Sequence, residues 1–200
     1  PRLQLSFAKS EHEVREAQRL RYRVFGEEMG ARLKHAGAGI DKDIFDPYCE
    51  HLLVRDTVTD EVVGTYRILT PALARRIGGY YAETEFDLIR LAHLYERTAE
   101  VGRACVHPNY RSGLTLRLLW SGLLDYMLQH GYDYVIGCAS LSMADGGHGA
   151  ASIYRRLRLE HLSPIEWRVF PRHPLQLEGL DSTRNTPLPT LIKGYMRLGS

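Results

Sequence analysis

Ala99-Glu100-Val101-Gly102-Arg103-Ala104-Cys105-Val106-His107, closed by Pro108, is the stretch on which the fold turns. It reads as a strand, and the run Leu114–His130 behind it, stopped by Gly131, reads as the clearest helix in the chain. A short apolar run, Tyr134-Val135-Ile136-Gly137-Cys138, follows as a strand of the buried type. Upstream, His51–Arg55 and Glu61–Leu69 read as two strands joined by a turn at Thr57–Asp60. Hairpins and crossover helices in one chain predict an α/β (α+β mixed) architecture, a mixed sheet flanked by helices.

Working outward, Leu3, Leu5 and Phe7 alternate with Gln4 and Ser6 as a half-buried first strand. Ser10 and Glu13 form a capping box for a helix expected to reach Glu28, with Val14, Ala17, Leu20, Val24 and Phe25 inward. Met29 to Cys49 loses all periodicity. A loop of roughly twenty residues that stays ordered is usually functional. Pro71–Gly79 predicts a short helix ending in glycine, Leu88–Arg97 a helical stretch, and Ala150–Leu157 another helix after the Gly146-Gly147-His148-Gly149 break. Strands near Leu162–Phe170 and Leu191–Leu198 are expected to complete the sheet.

The 200 residues are 44% apolar, 25% charged and 10% aromatic, the profile of one globular domain, 1–200, rather than of a disordered, collagen-like or coiled-coil chain. No apolar run approaches the ~18 residues of a membrane span, and Pro1–Leu5 lacks the layout of a secretion signal. Pro1 is not a translated start, which implies processing or a longer parent chain. The three cysteines, Cys49, Cys105 and Cys138, show no CxxC pairing, which argues against a disulfide framework or zinc and for a reducing cytoplasm. Arginine outnumbers lysine 22 to 4; this suits bidentate contact with phosphate or carboxylate, and equally fits the codon bias of a GC-rich genome.

Familiar catalytic signatures are missing: no GxSxG, no phosphate-binding GxxxxGK[ST], no GxGxxG and no HExxH. Cys105 and His107 share a strand face, so a Cys–His nucleophile is conceivable, against the plainer reading of a core cysteine beside a strand-end histidine. His148 has no second His or Cys at metal-binding spacing, and no metal site is expected.

The more informative residues are charges where core elements should be apolar. Glu100 lies on the strand face of Gly102 and Ala104, and Arg103 faces the other way unless a bulge re-aims it. Arg67 interrupts Gly64–Leu69, Arg21 and Arg23 sit in a well-patterned helix, and Asp43 and Asp46 close the long loop. Judged singly, each could equally be a surface charge.

Together, Arg21-Tyr22-Arg23-Val24-Phe25, Asp43 with Asp46, Gly64-Thr65-Tyr66-Arg67 and Glu100-Val101-Gly102-Arg103 resemble the acyl-homoserine-lactone synthases and their relatives in the GCN5-related N-acyltransferase (GNAT) superfamily. More closely, Asp46–Val54, Glu100–Arg111, Gly137–Ser140 and Leu191–Gly199 look like the ornithine–acyl-carrier-protein N-acyltransferases, which make lyso-ornithine lipid. The resemblance spans nearly the whole chain. It implies a GNAT-like fold, with a central, mostly antiparallel twisted sheet flanked by helices, and a transfer of a (3-hydroxy) fatty acyl chain from a thioester to an amino-acid amine. Family members continue past the position of Ser200, so a short C-terminal segment is expected beyond it.

What the resemblance implies for the site can be set against the chemistry. Attack of an amine on a thioester needs a base, donors for the developing oxyanion and positioning. Glu100 is the expected base, with Arg103 beside it. Backbone N–H groups near Gly102 to Cys105 are the expected donors, and Gly102, Ala104, Cys105 and Val106 with Arg111 and Gly113 are expected to hold the thioester and its pantetheine arm. Arg21, Arg23, Phe25, Asp43, Asp46 and Arg67 are expected around the acceptor, an arginine clasping its carboxylate and an aspartate its second ammonium. No permanently bound cofactor is expected; acyl-phosphopantetheine, on acyl carrier protein or coenzyme A, is the donor substrate. In Tyr110-Arg111-Ser112-Gly113-Leu114-Thr115 only the first glycine of the pyrophosphate loop survives, which favours the single phosphodiester of a carrier protein.

Carrier proteins are acidic, so Arg117, Arg155, Arg156 and Arg158 are the expected rim for that partner; contact with anionic membrane lipid at the inner face is a further expectation, and nucleic acid is not expected. The competing readings are a signal synthase using S-adenosylmethionine, disfavoured by a Met29–Cys49 loop without Trp, a different long-chain N-acyl amino acid synthase, and a non-enzymatic module that only binds carrier protein.

Overall fold

The computed structural model describes residues 2–197. In chain order its elements are β1 (Leu3–Phe7), α1 (Glu11–Arg21), β2 (Glu50–Asp56), β3 (Val62–Leu69), α2 (Pro71–Ile77), α3 (Ala82–Glu85), β4 (Phe86–Asp87), β5 (Thr98–Val106), α4 (Leu114–His130), β6 (Tyr134–Ile136), α5 (His148–Glu160), β7 (Phe170–Pro171) and α6 (Thr190–Arg197). They gather into two compact units. One holds the residues up to Tyr81 with Leu94–Gly137, the other Ala82–His93 with the described residues from Cys138 on.

The first unit is built on a five-stranded sheet of order β1-β2-β3-β5-β6, antiparallel except where β5 meets β6. One face carries Leu52, Val54, Tyr66, Ile68, Ala99 and Val101 against Leu119 and Met127 of α4. The other sets Leu53 and Cys105 against Ala17 and Leu20 of α1, with Val24 just beyond it. Gly64 lets α4 lie close: a Cβ there would stand 2.5 Å from Thr115 Cγ2. The parallel ladder between β5 and β6 covers only Thr98–Glu100 against Tyr134–Ile136, so the rest of β5 runs on without that neighbour.

Helix α1 starts as the capping residues predict. The Ser10 hydroxyl accepts from the Glu13 N–H at 3.3 Å, and Glu13 reaches back to the Lys9 N–H. Beyond Arg21 the helix widens into a π-helical turn over Tyr22–Glu28, a form often met at functional sites. The predicted hairpin, the Pro71 helix ended by left-handed Gly78, and the Leu114–His130 helix all appear. Ile89–Arg97 is a 3-10 stretch.

The two late strands expected to complete the sheet are corrected. Leu162–Phe170 forms a 3-10 turn at Ile165–Trp167, and Phe170–Pro171 pairs with β4 as a separate two-stranded ribbon in the second unit. Thr190–Arg197 is a helix, because Leu191, Ile192, Tyr195 and Met196 recur at helical rather than alternating spacing; Leu198 and Gly199 lie outside the described residues. The second unit is pinned at the start of α5, where Asp145 accepts from the N–H groups of Gly147 and Gly149 and the His148 ring accepts from the Asp181 N–H. Among the described residues no helix is long and apolar enough to cross a membrane.

Candidate active site

Strand β5 carries one residue more than its partner across the central register. Thr65 pairs with Cys105 but Arg67 pairs with Gly102, so three steps along β5 match two along β3. The extra residue is accommodated as a bulge at Arg103, whose φ of +55° is rare for a residue with a side chain. Holding it there costs on the order of 1–2 kcal/mol, and the surrounding charges offset that cost. The bulge turns Arg103 to the sheet side of Arg67, so both reach Asp43.

Six charges interlock at this place. Arg21, with no exposed surface, grips Asp46 through Nη1 at 2.9 Å and Nη2 at 2.7 Å, and binds Asp41 through Nε at 3.0 Å and through the Asp41 carbonyl. Arg67 bridges Asp43 at 2.6 Å and Asp46 at 3.1 Å. Arg103 donates from Nη2 to Asp43 at 3.1 Å, and its Nε lies 3.1 Å from Asp41 without the alignment of a hydrogen bond. Both Asp46 oxygens already accept two or more donors, counting the Gln18 amide and the Asp43 N–H. Burial alone would raise the Asp46 pKa, but the Arg21 contacts, then Arg67 and the Asp43 N–H, outweigh it and hold the carboxyl well below the usual range.

Access divides these residues. Arg21, Asp41, Asp46 and Arg67 are buried, whereas the side chains of Arg103 and Asp43 keep 27% and 19% of their surface exposed. Among the described residues Arg103 Nη1 makes no hydrogen bond, and Asp43 Oδ2 accepts only Arg103. Glu100, three residues before Arg103 and paired with Leu69, is buried and accepts the Tyr81 N–H at 2.7 Å. The Tyr81 ring lies under the Arg103 guanidinium, 5.7 Å from ring centre to Cζ.

The other expected residues lie beside the interlocked charges or away from them. Arg23 is exposed at the π-turn, and Phe25 packs on the α1-side core. Gly102 and Ala104 are half-buried on either side of the bulge. Arg111 donates both amino groups to Glu28, at 2.6 and 2.7 Å. Gly113, at φ +94°, leads into α4. A cleft of about 510 Å³ opens there, lined by Tyr110, Ser112, Leu114 and Thr115 among others; none of the six interlocked charges lines it. Arg117 is exposed on α4, while Arg155, Arg156 and Arg158 belong to α5 of the second unit. The Cys–His nucleophile is set aside: Cys105 is buried, burial pushes its thiol up to about 12, and the His107 ring accepts the Asn109 N–H.

Four residues of this site escape sequence reading. Asp41 bridges Arg21 toward Arg103, and its only signal is an acidic residue two places before Asp43. Gln18 is an ordinary helix residue. Buried His51 sets its Nε2 3.0 Å from the Asp46 carbonyl. Tyr81 contributes through a backbone N–H, which any residue but proline carries.

Residues 20–121 match the family described as Acetyltransferase (GNAT) domain. The L-ornithine N(alpha)-acyltransferase of Rhizobium meliloti is 38% identical over 99% of this chain and 72% of its own length. The protein of the same name from Agrobacterium fabrum is 39% identical over 99% of this chain and 73% of its own. The solved structure of TofI, in a ternary complex with an inhibitor and MTA, superposes with a TM-score of 0.50 at 19% identity, covering 68% of this chain and 71% of that one, a likeness of fold. The chain is thus an amide-forming acyltransferase of the GNAT family, and belongs to the L-ornithine N(alpha)-acyltransferases.

Proposed function

We propose that the chain moves a fatty acyl group, 3-hydroxylated or plain, from a phosphopantetheine thioester to the α-amine of ornithine or a similar amino acid, giving a lyso-ornithine-type lipid. The observation that carries this reading is that buried Glu100 and a partly exposed Arg103, turned by the bulge toward Asp43, both contact Tyr81. Glu100 takes a proton from the acceptor ammonium, directly or through water. The freed amine attacks the thioester carbon, and the β5 backbone past Gly102, which runs without β6 beside it, offers N–H groups to the oxyanion. Collapse forms the amide and breaks the C–S bond, and the departing sulfur takes up a proton.

Arg103 Nη1 is the group we assign to the acceptor carboxylate, and Asp43 Oδ2 the group for its distal ammonium. Arg21, Asp46 and Arg67 hold that pair in place, since their own bonds are spent on one another. The donor rides on acyl carrier protein rather than coenzyme A, a choice supported by the loop before α4 with its single motif glycine and an Arg111 engaged by Glu28. For the acidic carrier we assign Arg117 on α4 and, each unit taken by itself, Arg155, Arg156 and Arg158 on α5. On this reading residues 1–200 serve one N-acyltransferase domain. It works in the cytoplasm, consistent with three free cysteines, and releases its product to the inner face of an anionic membrane.

The test is to incubate the protein with long-chain acyl carrier protein or acyl-coenzyme A, offer ornithine, glycine and S-adenosylmethionine in turn, and weigh the lipid formed. N-acyl-ornithine from the carrier-protein donor is expected. A lactone from S-adenosylmethionine, or no amide from any acceptor, overturns the reading.

A further inference from the structure

Tyr81 touches both groups that the proposed reaction needs, by two different parts of itself. Its backbone N–H donates to Glu100 Oε2 at 2.7 Å. Its ring carries the Arg103 guanidinium at 5.7 Å, within cation–π range. The segment is set from behind. Gly78 and Gly79, at φ of +97° and +142°, turn the chain off α2. Tyr80 then locks it, donating its hydroxyl to the Thr98 carbonyl at 2.6 Å and packing on Tyr95 at 4.5 Å between ring centres. The Tyr81 ring is itself buttressed edge-on by Phe45, 5.7 Å away.

We propose that Tyr81 is a positioning residue for the acceptor, its N–H fixing the Glu100 carboxylate and its ring fixing the Arg103 guanidinium, so that base and carboxylate clasp keep one spacing. The inference rests on the acceptor reading above. Arg103 stands on a strained bulge with a long, partly exposed side chain, and Asp41 and Asp43 hold only one edge of its guanidinium. The ring supplies the flat surface that stops the fork from swinging, with Nε and Nη2 toward Asp41 and Asp43 and Nη1 left for the acceptor. Because the contact to Glu100 runs through the backbone, replacing the side chain separates the two roles. Clasping of the acceptor carboxylate weakens, and proton removal does not.

The experiment compares Tyr81→Leu and Tyr81→Phe with the unaltered protein, using ornithine and 1,4-diaminobutane, which has the same two amines and no carboxylate. For Tyr81→Leu the KM for ornithine is expected to rise about threefold to tenfold, with kcat and the kinetics of diaminobutane held within about twofold and with Tyr81→Phe restoring the ornithine KM. Since the leucine variant can fail to fold, 3,4,5-trifluorophenylalanine at position 81 gives a second reading. It keeps the ring's shape and drains its negative face, so the ornithine KM rises at unchanged thermal stability. An ornithine-to-diaminobutane ratio that does not move in either variant, or a Phe variant as impaired as Leu, overturns the inference while the acyl-transfer reading stands. If the unaltered protein acylates neither amine, that reading falls and takes the inference with it.

Discussion

Arg21 and Asp46 lie 25 residues apart and meet as fork and carboxylate, with N–O distances of 2.9 and 2.7 Å and almost no solvent on either side chain. This pair ties the end of the long loop to helix α1 and sets the height at which Asp43 faces Arg67 and Arg103. An ion pair this deep derives little net stability from its own attraction, because both charges have left water; removing one partner is what costs.

Asp46→Ala therefore leaves Arg21 buried with half its partners gone. The expected loss is about 3–5 kcal/mol in chemical denaturation, with acyl transfer falling as the loop detaches. Replacing Arg21 and Asp46 together by apolar residues of similar volume should recover much of the stability and none of the activity. A single Asp46→Ala within about 0.5 kcal/mol of the parent would contradict this account.

Glu100→Gln keeps the shape and can still accept the Tyr81 N–H through its amide oxygen, but no longer takes a proton. With the fold intact by circular dichroism, the acyl-transfer rate should drop by about 10²–10⁴. A rate near that of the parent would remove Glu100 from the chemistry.

His51 gives stability a pH dependence of known sign. Burial lowers its pKa, and the hydrogen bond to the Asp46 carbonyl only partly opposes this. The folded protein thus resists a proton that the unfolded chain accepts near pH ~6.5. Stability is at its full value above that pH and declines as the pH falls from there toward the lower folded pKa. His51→Gln should flatten this slope in unfolding curves taken between pH 7 and 5.

Gly64 of β3 faces Thr115 of α4, and a methyl added there meets Thr115 at 2.5 Å. Gly64→Ala is expected to cost about 1–3 kcal/mol. Pairing it with Thr115→Ser, which removes the offending methyl, should return most of that loss in a double-mutant cycle.

Charge reversal at Arg155 or Arg158, exposed on α5, should slow turnover of acyl carrier protein. The defect should be largest at low salt, where steering is strongest, and fade as ionic strength rises. Turnover of a short acyl-pantetheine should be unaffected. A defect independent of salt would place the carrier elsewhere.

The sequence alone makes legible the elements that repeat over short distances. The β2–β3 hairpin, the β5 strand, the α4 helix and the Ser10 cap follow from alternation, helical spacing and end residues, all of which act within a few positions. It carried helical spacing at Leu191, Ile192, Tyr195 and Met196, where a strand was expected. It also marked Glu100 and Arg103 as charges out of place, and named a bulge as the condition for Arg103 to turn. Only the tertiary structure decided that the bulge exists, that Arg21, Asp46 and Arg67 spend their bonds on one another, and that Asp41 and the Tyr81 N–H join them. The reason is the range of the forces. Periodicity is local, whereas the pairing of buried charges is settled between segments 20 to 60 residues apart, where each guanidinium left without water takes whichever carboxylate the fold brings within reach.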